Sequence, residues 1–200
     1  MMDTINYFGY GSLVNLDTLR TPYLSAHPAT LKGWKRVWLS RPAVEGSFAP
    51  FDGLAFLSVK PSAETIIEGM LVEDHASSLS ALDEREALYD RRKISVADIV
   101  LKKGSNHRLD DQTSFLYVAQ KQVFGDGKPP QILRSYLDAV FQGYLTYFGE
   151  DSLARFVETT DNFQLPIFED REAPIYPRTV ETTQTERELF DTTVPPGGFV

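Results

Sequence analysis

The chain has 200 residues, with 28 acidic against 20 basic side chains, a formal charge of −8, a hydrophobic share of 42% and no cysteine. That length can bury a core of its own, and the aliphatic and aromatic content is too high for a disordered chain. The missing cysteine excludes disulfides, thiol nucleophiles, iron–sulfur clusters and zinc sites with thiolate ligands, while the acidic balance argues against a general nucleic-acid binder.

The N-terminus, Met1-Met2-Asp3-Thr4, lacks the basic and apolar regions of a signal peptide. No apolar run approaches the ~20 residues of a membrane span. The expectation is a soluble cytoplasmic protein without membrane contact. Ile5 to Tyr10 reads as a short aromatic strand stopped by Gly11-Ser12. Trp34 to Leu39 alternates apolar and basic residues as a strand with one buried face, which makes Trp34 and Trp38 core residues. Leu54–Val59 and Ile66–Val72 read as two further strands, with Pro61 as the breaker between them.

At Asp74 the pattern changes. Asp74 or Ser77 caps a short helix with Ala76, Leu79 and Leu82 at helical spacing, running into Asp83-Glu84-Arg85-Glu86. Strand-like alternation resumes at Ile94 and Val96, and Ser114–Ala119 reads as the last strand. Gly125 to Pro130 is a loop by composition. After it, Ile132, Leu133, Tyr136, Leu137, Val140, Phe141, Tyr144, Leu145 and Phe148 form one apolar helical stripe that Gly149 ends. Ser152–Val157 is a shorter helix, Pro166–Arg178 an extended loop, and the polar stretch from Thr179 a fraying tail. Strands come first and the connections are too short for repeated βαβ units, so the class is α+β. Residues 1–178 are expected to form a single domain and residues 179–200 a polar tail.

Two short features could carry chemistry. Gly9-Tyr10-Gly11-Ser12-Leu13 follows a strand and can expose backbone N–H groups as a nest for a carboxylate or oxyanion; it can equally be an ordinary turn. It matches neither a Rossmann nor a Walker fingerprint, and no GxSxG elbow makes Ser12 a nucleophile. The second feature, Asp83-Glu84-Arg85-Glu86, puts carboxylates at a helix C-terminus, against the helix dipole. A carboxylate there, drawn toward Leu88 and Tyr89, could take and return a proton. The alternative is a solvated helix end with Arg85 as ion partner. His27, His75 and His107 are far apart in sequence and none has metal-ligand spacing. Arg91-Arg92-Lys93 reads as a solvated strand edge that could still lend positive charge to an acidic substrate.

Together the two features resemble the gamma-glutamylcyclotransferase-like superfamily, which includes AIG2-like and ChaC-type proteins. The resemblance rests on Tyr10-Gly11-Ser12-Leu13 after the first strand and on Gly33-Trp34 in a later one. It continues through Glu68-Gly69-Met70, the LD-x-x-E sequence Leu82 to Glu86, Tyr89, and Tyr136 seven residues before Gly143. The longer blocks that follow the YGSL loop in ChaC-type proteins are not found here. The resemblance implies a small mixed, partly barrel-like β-sheet with flanking helices. It implies cyclisation of a γ-glutamyl peptide or amine to 5-oxoproline, with Glu86 as acid/base and Tyr10, Gly11, Ser12, Leu13, Tyr89 and Tyr136 binding substrate. No metal or other cofactor is implied, because the substrate's own amine is the nucleophile. The partner is then a small γ-glutamyl molecule rather than nucleic acid or membrane. The alternative is a non-catalytic module that binds a small molecule or a partner chain in the same pocket. The −8 balance poses a further requirement: an anionic γ-glutamyl substrate needs local positive charge, from Arg91-Arg92-Lys93 or from the Tyr10–Leu13 backbone. The segment 162–178 is expected to close over or beside the site.

Overall fold

The computed structural model describes residues 3–41, 53–105, 107, 109, 113–120 and 129–198. Of the loop expected at 125–130, residues 125–128 lie outside the described residues. Two long strands, β2 (Ser25–Arg41) and β3 (Leu54–His75), pair antiparallel along almost their whole length. β1 (Thr4–Gly9) adds antiparallel to the C-terminal half of β3 and parallel to β6 (Thr113–Ala119). β4 (Tyr89–Lys93) pairs with β6, and β5 (Ile99–Leu101) with the outer edge of β2. The order β4-β6-β1-β3-β2-β5 leaves β4 and β5 at opposite ends, so the sheet is mixed but not closed into a barrel. The α+β class holds.

The helices are α1 (Leu79–Arg85), α2 (Arg134–Phe148), α3 (Asp151–Glu158) and α4 (Gln184–Thr193). α2 is the longest of the four, and Leu137, Val140, Phe141 and Tyr144 on it are completely buried. Phe156 of α3 sits among Phe141, Tyr144 and Phe163 with ring centroids 4.8–6.0 Å apart. Burying each such side chain contributes about 1.5–3 kcal/mol, which fastens both helices to the sheet. Among the described residues no helix is long and apolar enough to cross a membrane.

Four expectations need correction. Pro61 does not separate two strands: it pairs with Trp34 within β3, after a register shift opposite Gly33, whose φ is +88°. An irregularity in the ladder accommodates a residue without an N–H. Ile132 and Leu133 lie before α2, as β7 (Ile132–Leu133), which pairs in parallel with β9 (Ile167–Phe168) inside the expected loop. With β8 (Thr160–Asp161) on the edge of β2, β6 is not the last strand. Finally, the polar tail folds. Thr183 and Glu186 form a capping box, and Phe190 and Val194 are completely buried.

Candidate active site

The loop between β1 and the rest of the chain is fixed from three sides. The Tyr10 carbonyl accepts from the Tyr144 hydroxyl, a group that also lies 2.7 Å from the Glu68 carbonyl and 2.9 Å from Arg36 Nη1. The Gly11 carbonyl accepts from Val14 N–H, and the Ser12 carbonyl from Asn15 N–H and the Thr18 hydroxyl. With these carbonyls engaged, the N–H groups are what the loop has left to offer a ligand. The Tyr136 hydroxyl stands close over the loop, where a Cβ at Gly11 would come within 2.9 Å of it.

Helix α2 comes down onto this loop because Gly143 carries no side chain. A Cβ there would stand 2.5 Å from Asn15 N. Asn15 answers with side-chain bonds to the Ala139 carbonyl and Gln142 Oε1. Tyr136, two helical turns before Gly143, shares its face and so meets the loop. Gly69 serves the same purpose on the sheet, where a Cβ would strike the Gly9 carbonyl and the Phe8 ring.

The acidic helix end resolves into three different carboxylates. Asp83 accepts from the Tyr117 hydroxyl at 2.7 Å and from Arg91 at 2.8 Å, and Glu84 is exposed. Leu82 is buried in the core and anchors the helix, so Glu86, one turn later, is held at the same face. Glu86 is the C-terminal cap of α1, with its side chain 15% exposed and Oε1 accepting from Arg85 Nε at 3.0 Å.

Glu86 and the loop residues line one cavity of about 420 Å³. Every residue expected at the site is on its wall: Tyr10, Gly11, Ser12, Leu13, Glu86, Tyr89 and Tyr136. Glu86 is the one carboxylate among the described residues lining it. Tyr89 donates to the Leu57 carbonyl and packs its ring edge-on to Phe56. Burial raises the pKa of Tyr10 and Tyr136 well above the ordinary tyrosine value, reinforced at Tyr10 by Tyr136 and Glu86 and at Tyr136 by Tyr176 and Glu86. Both therefore stay neutral through the physiological range. Tyr117, which the sequence reading did not place at the site, lines the cavity and is raised for the same reason, with Asp83 adding to burial.

Of the two expected sources of local positive charge, the Tyr10–Leu13 backbone lines the cavity and Arg91-Arg92-Lys93 does not. Arg91 and Arg92 are paired with Asp83 and Asp90 beside a separate, open hollow, and do not line the cavity. The cations on the cavity wall are Arg85 and Arg178. The segment Ile175 to Arg178 does stand beside the site, where Tyr176 meets Tyr136 edge-on at 4.9 Å. Tyr176 N–H donates to Ser135 Oγ and the Pro177 carbonyl accepts from Arg20, contacts 41 and 157 residues apart that no local motif marks. His27 and His107, distant in sequence, stack at 4.6 Å. Among the described residues no group of three or more His, Asp or Glu is placed to hold a metal ion.

Among solved structures, the chain is similar to a protein described as a gamma-glutamyl cyclotransferase. Identity is 14% and TM-score 0.57, over 95% of this chain and 99% of that one. An uncharacterized protein from Homo sapiens aligns at 16% identity and TM-score 0.58, over 94% and 99%. YkqA from Bacillus subtilis aligns at 18% identity and TM-score 0.52, over 78% of this chain and 55% of that one. These likenesses establish a shared fold. Comparison with curated protein sequences finds no match. The profile of the family described as "Gamma-glutamyl cyclotransferase, AIG2-like" matches residues 7–135, the stretch that holds both the YGSL loop and Glu86, and the chain belongs to that family.

Proposed function

We propose that this protein releases 5-oxoproline from a γ-glutamyl compound by intramolecular cyclisation, with Glu86 as general acid/base. The observation that carries the reading is the shared cavity: its one carboxylate among the described residues and the Tyr10–Leu13 loop line the same space. Family membership supports the reaction class.

In this reading the substrate enters with its α-amine protonated. Glu86 takes a proton from the α-ammonium, and the freed amine attacks the γ-carbonyl carbon to close a five-membered ring. The tetrahedral oxyanion is met by backbone N–H groups of the loop, which are fixed before the reaction and need no reorganisation. Glu86 then returns its proton to the leaving nitrogen and takes the second proton from the ring nitrogen; the oxyanion collapses, the C–N bond to the leaving nitrogen breaks, and the departing amine picks up that second proton from Glu86, which is left ionised again. The α-carboxylate lies one bond from the amine that Glu86 must reach. Arg85, hydrogen-bonded to Glu86 and lining the cavity, is placed to hold it. Tyr10, Tyr89 and Tyr136 shape the space and keep the chain curled, a contribution to ring closure through orientation. The substrate supplies its own nucleophile, so the steps need no protein thiol and no cofactor.

The test is a panel of γ-glutamyl dipeptides and γ-glutamyl amines assayed for 5-oxoproline. Glu86→Gln should lower kcat/KM by roughly 10²–10⁴-fold with the circular dichroism spectrum unchanged. Full activity in that variant would remove Glu86 from the mechanism. Binding of the compounds without turnover by the unaltered protein would make the chain a ligand-binding module instead.

A further inference from the structure

Behind the loop, on β2, stands a buried cation that the proposed chemistry does not use. Arg36 is 1% exposed, and each of its hydrogen bonds goes to an uncharged oxygen. Nε donates to Thr160 Oγ1, Nη2 to Thr159 Oγ1, and Nη1 to the Glu68 carbonyl and the Tyr144 hydroxyl. The guanidinium lies 4.4 Å from the centre of the Phe156 ring. Among the described residues no carboxylate forms an ion pair with it. The Glu68 carboxylate, whose charge bears on Arg36, is hydrogen-bonded to Arg155. An apolar side chain of similar volume would spare the desolvation of this charge.

The protons around Tyr144 settle which way its hydroxyl points. Its oxygen lies 2.9 Å from Arg36 Nη1, 2.9 Å from the Tyr10 carbonyl and 2.7 Å from the Glu68 carbonyl, with one proton for two carbonyls. The Glu68 carbonyl already accepts from Arg36 Nη1 at 3.0 Å. Among the described residues the Tyr10 carbonyl has no donor besides Tyr144. Every group is satisfied when Arg36 donates to Tyr144 and Glu68, and Tyr144 donates to Tyr10. A hydroxyl that accepts from a cation is itself a stronger donor.

The Tyr10 carbonyl and the Gly11 N–H belong to one peptide group, joined by its resonance. A proton held firmly at that oxygen leaves the N–H more positive. Gly11 lines the cavity, and among the described residues its N–H has no hydrogen-bond partner.

We propose that Arg36 is a positioning residue for the oxyanion donor: acting through Tyr144 and the Tyr10 carbonyl, it polarises Gly11 N–H toward the tetrahedral oxyanion. This rests on the cyclisation reading and names the buried charge that strengthens its anion-binding loop.

The test compares Arg36→Met, Arg36→Lys, Tyr144→Phe and the double variant Arg36→Met with Tyr144→Phe. Losing a whole oxyanion donor costs about 10²–10³-fold in kcat, and weakening one should cost about tenfold. Arg36→Met and Tyr144→Phe should each lower kcat by about tenfold with KM within about twofold, because the lost interaction strengthens only in the transition state. The double variant should be no worse than the poorer single one, since both cut the same chain of bonds. The Tyr10 carbonyl 13C and Gly11 amide 15N resonances should move upfield in all of them. Arg36→Lys keeps the charge but not the paired N–H groups, so its kcat should fall part of the way. A loss carried by KM, losses that multiply in the double variant, or unmoved resonances would overturn the relay. Should Arg36→Met not fold, Arg36→Lys decides: a partial kcat loss with both resonances upfield upholds it, and unaltered kcat or unmoved resonances overturn it. If no γ-glutamyl compound yields 5-oxoproline with the unaltered protein, the cyclisation reading fails by itself. The two resonances then decide whether Arg36 polarises Gly11: an upfield move in Arg36→Met or Arg36→Lys upholds it, and none overturns it.

Discussion

The two walls of the cavity are held by different forces. The Phe8–Leu13 wall rests on close approach of backbones, made possible where Gly69 and Gly143 carry no side chain, and on neutral hydrogen bonds from Tyr144 and Thr18. The Ile175–Arg178 wall hangs from a network of charges. Arg171 bridges Asp138 of α2 and Asp191 of α4, Arg134 pairs with Glu169, and Asp170 accepts from Ser135 and Ile175. The first wall should therefore tolerate the loss of a partner better than any added volume. The second should tolerate added volume better than the loss of a partner.

The largest expected effect breaks the charged wall. Asp138 has a side chain only 5% exposed, and burial already raises its pKa even though Arg171 opposes the shift. Arg171→Met strands that carboxylate, and should cost about 3 kcal/mol in urea unfolding, because an uncompensated buried charge is left behind. Arg171→Met with Asp138→Leu should recover most of the loss. A single variant that unfolds like the unaltered protein would show that the charges do not hold this wall. The next effect strains the neutral wall. Gly143→Ala pushes a methyl against the Asn15 backbone, which cannot rotate away, and should cost about 2 kcal/mol by overpacking. It should also raise KM, since the displaced loop carries Tyr10 to Leu13. An unchanged KM with unchanged stability would mean that α2 does not set the loop.

That contrast also explains what could be read in the sequence. The neutral wall depends on residue types at short spacing: the YGSL turn, Leu82 one helical turn before Glu86, Tyr136 two turns before Gly143. Such constraints leave local marks, and the loop, Glu86 and Tyr136 do meet in one cavity. The charged wall leaves none. Arg171 is 33 residues from Asp138 and 20 from Asp191. Local rules also misread Pro61, because the partner strand bends around it, and the tail, where few apolar residues are present. For the tail one signal was available. Thr183-Gln184-Thr185-Glu186 is the capping-box pattern, and Leu189, Phe190 and Val194 follow at helical spacing.

The smallest effect separates the walls by pH. Tyr144 and Tyr10 are buried and Tyr136 is partly buried, and burial is the main cause that raises each above the ordinary 10.0. The folded protein keeps these protons at a pH where the unfolded chain has lost them. Above pH ~10 the unfolded state binds fewer protons than the folded state, so stability falls as pH rises. Each such tyrosine contributes a slope of about 1.4 kcal/mol per pH unit in that range. The charged wall has no matching response there, because Asp138 and Asp191 hold the Arg171 guanidinium charged even more firmly than usual. Tyr144→Phe should therefore flatten the alkaline slope of the urea midpoint by about one proton's worth, at a cost in stability near neutrality from the lost bond to Tyr10. Arg171→Met should lower stability at every pH and leave the slope as it was. If Arg171→Met flattened the slope and Tyr144→Phe did not, the assignment of neutral hydrogen bonds to one wall and charges to the other would be reversed.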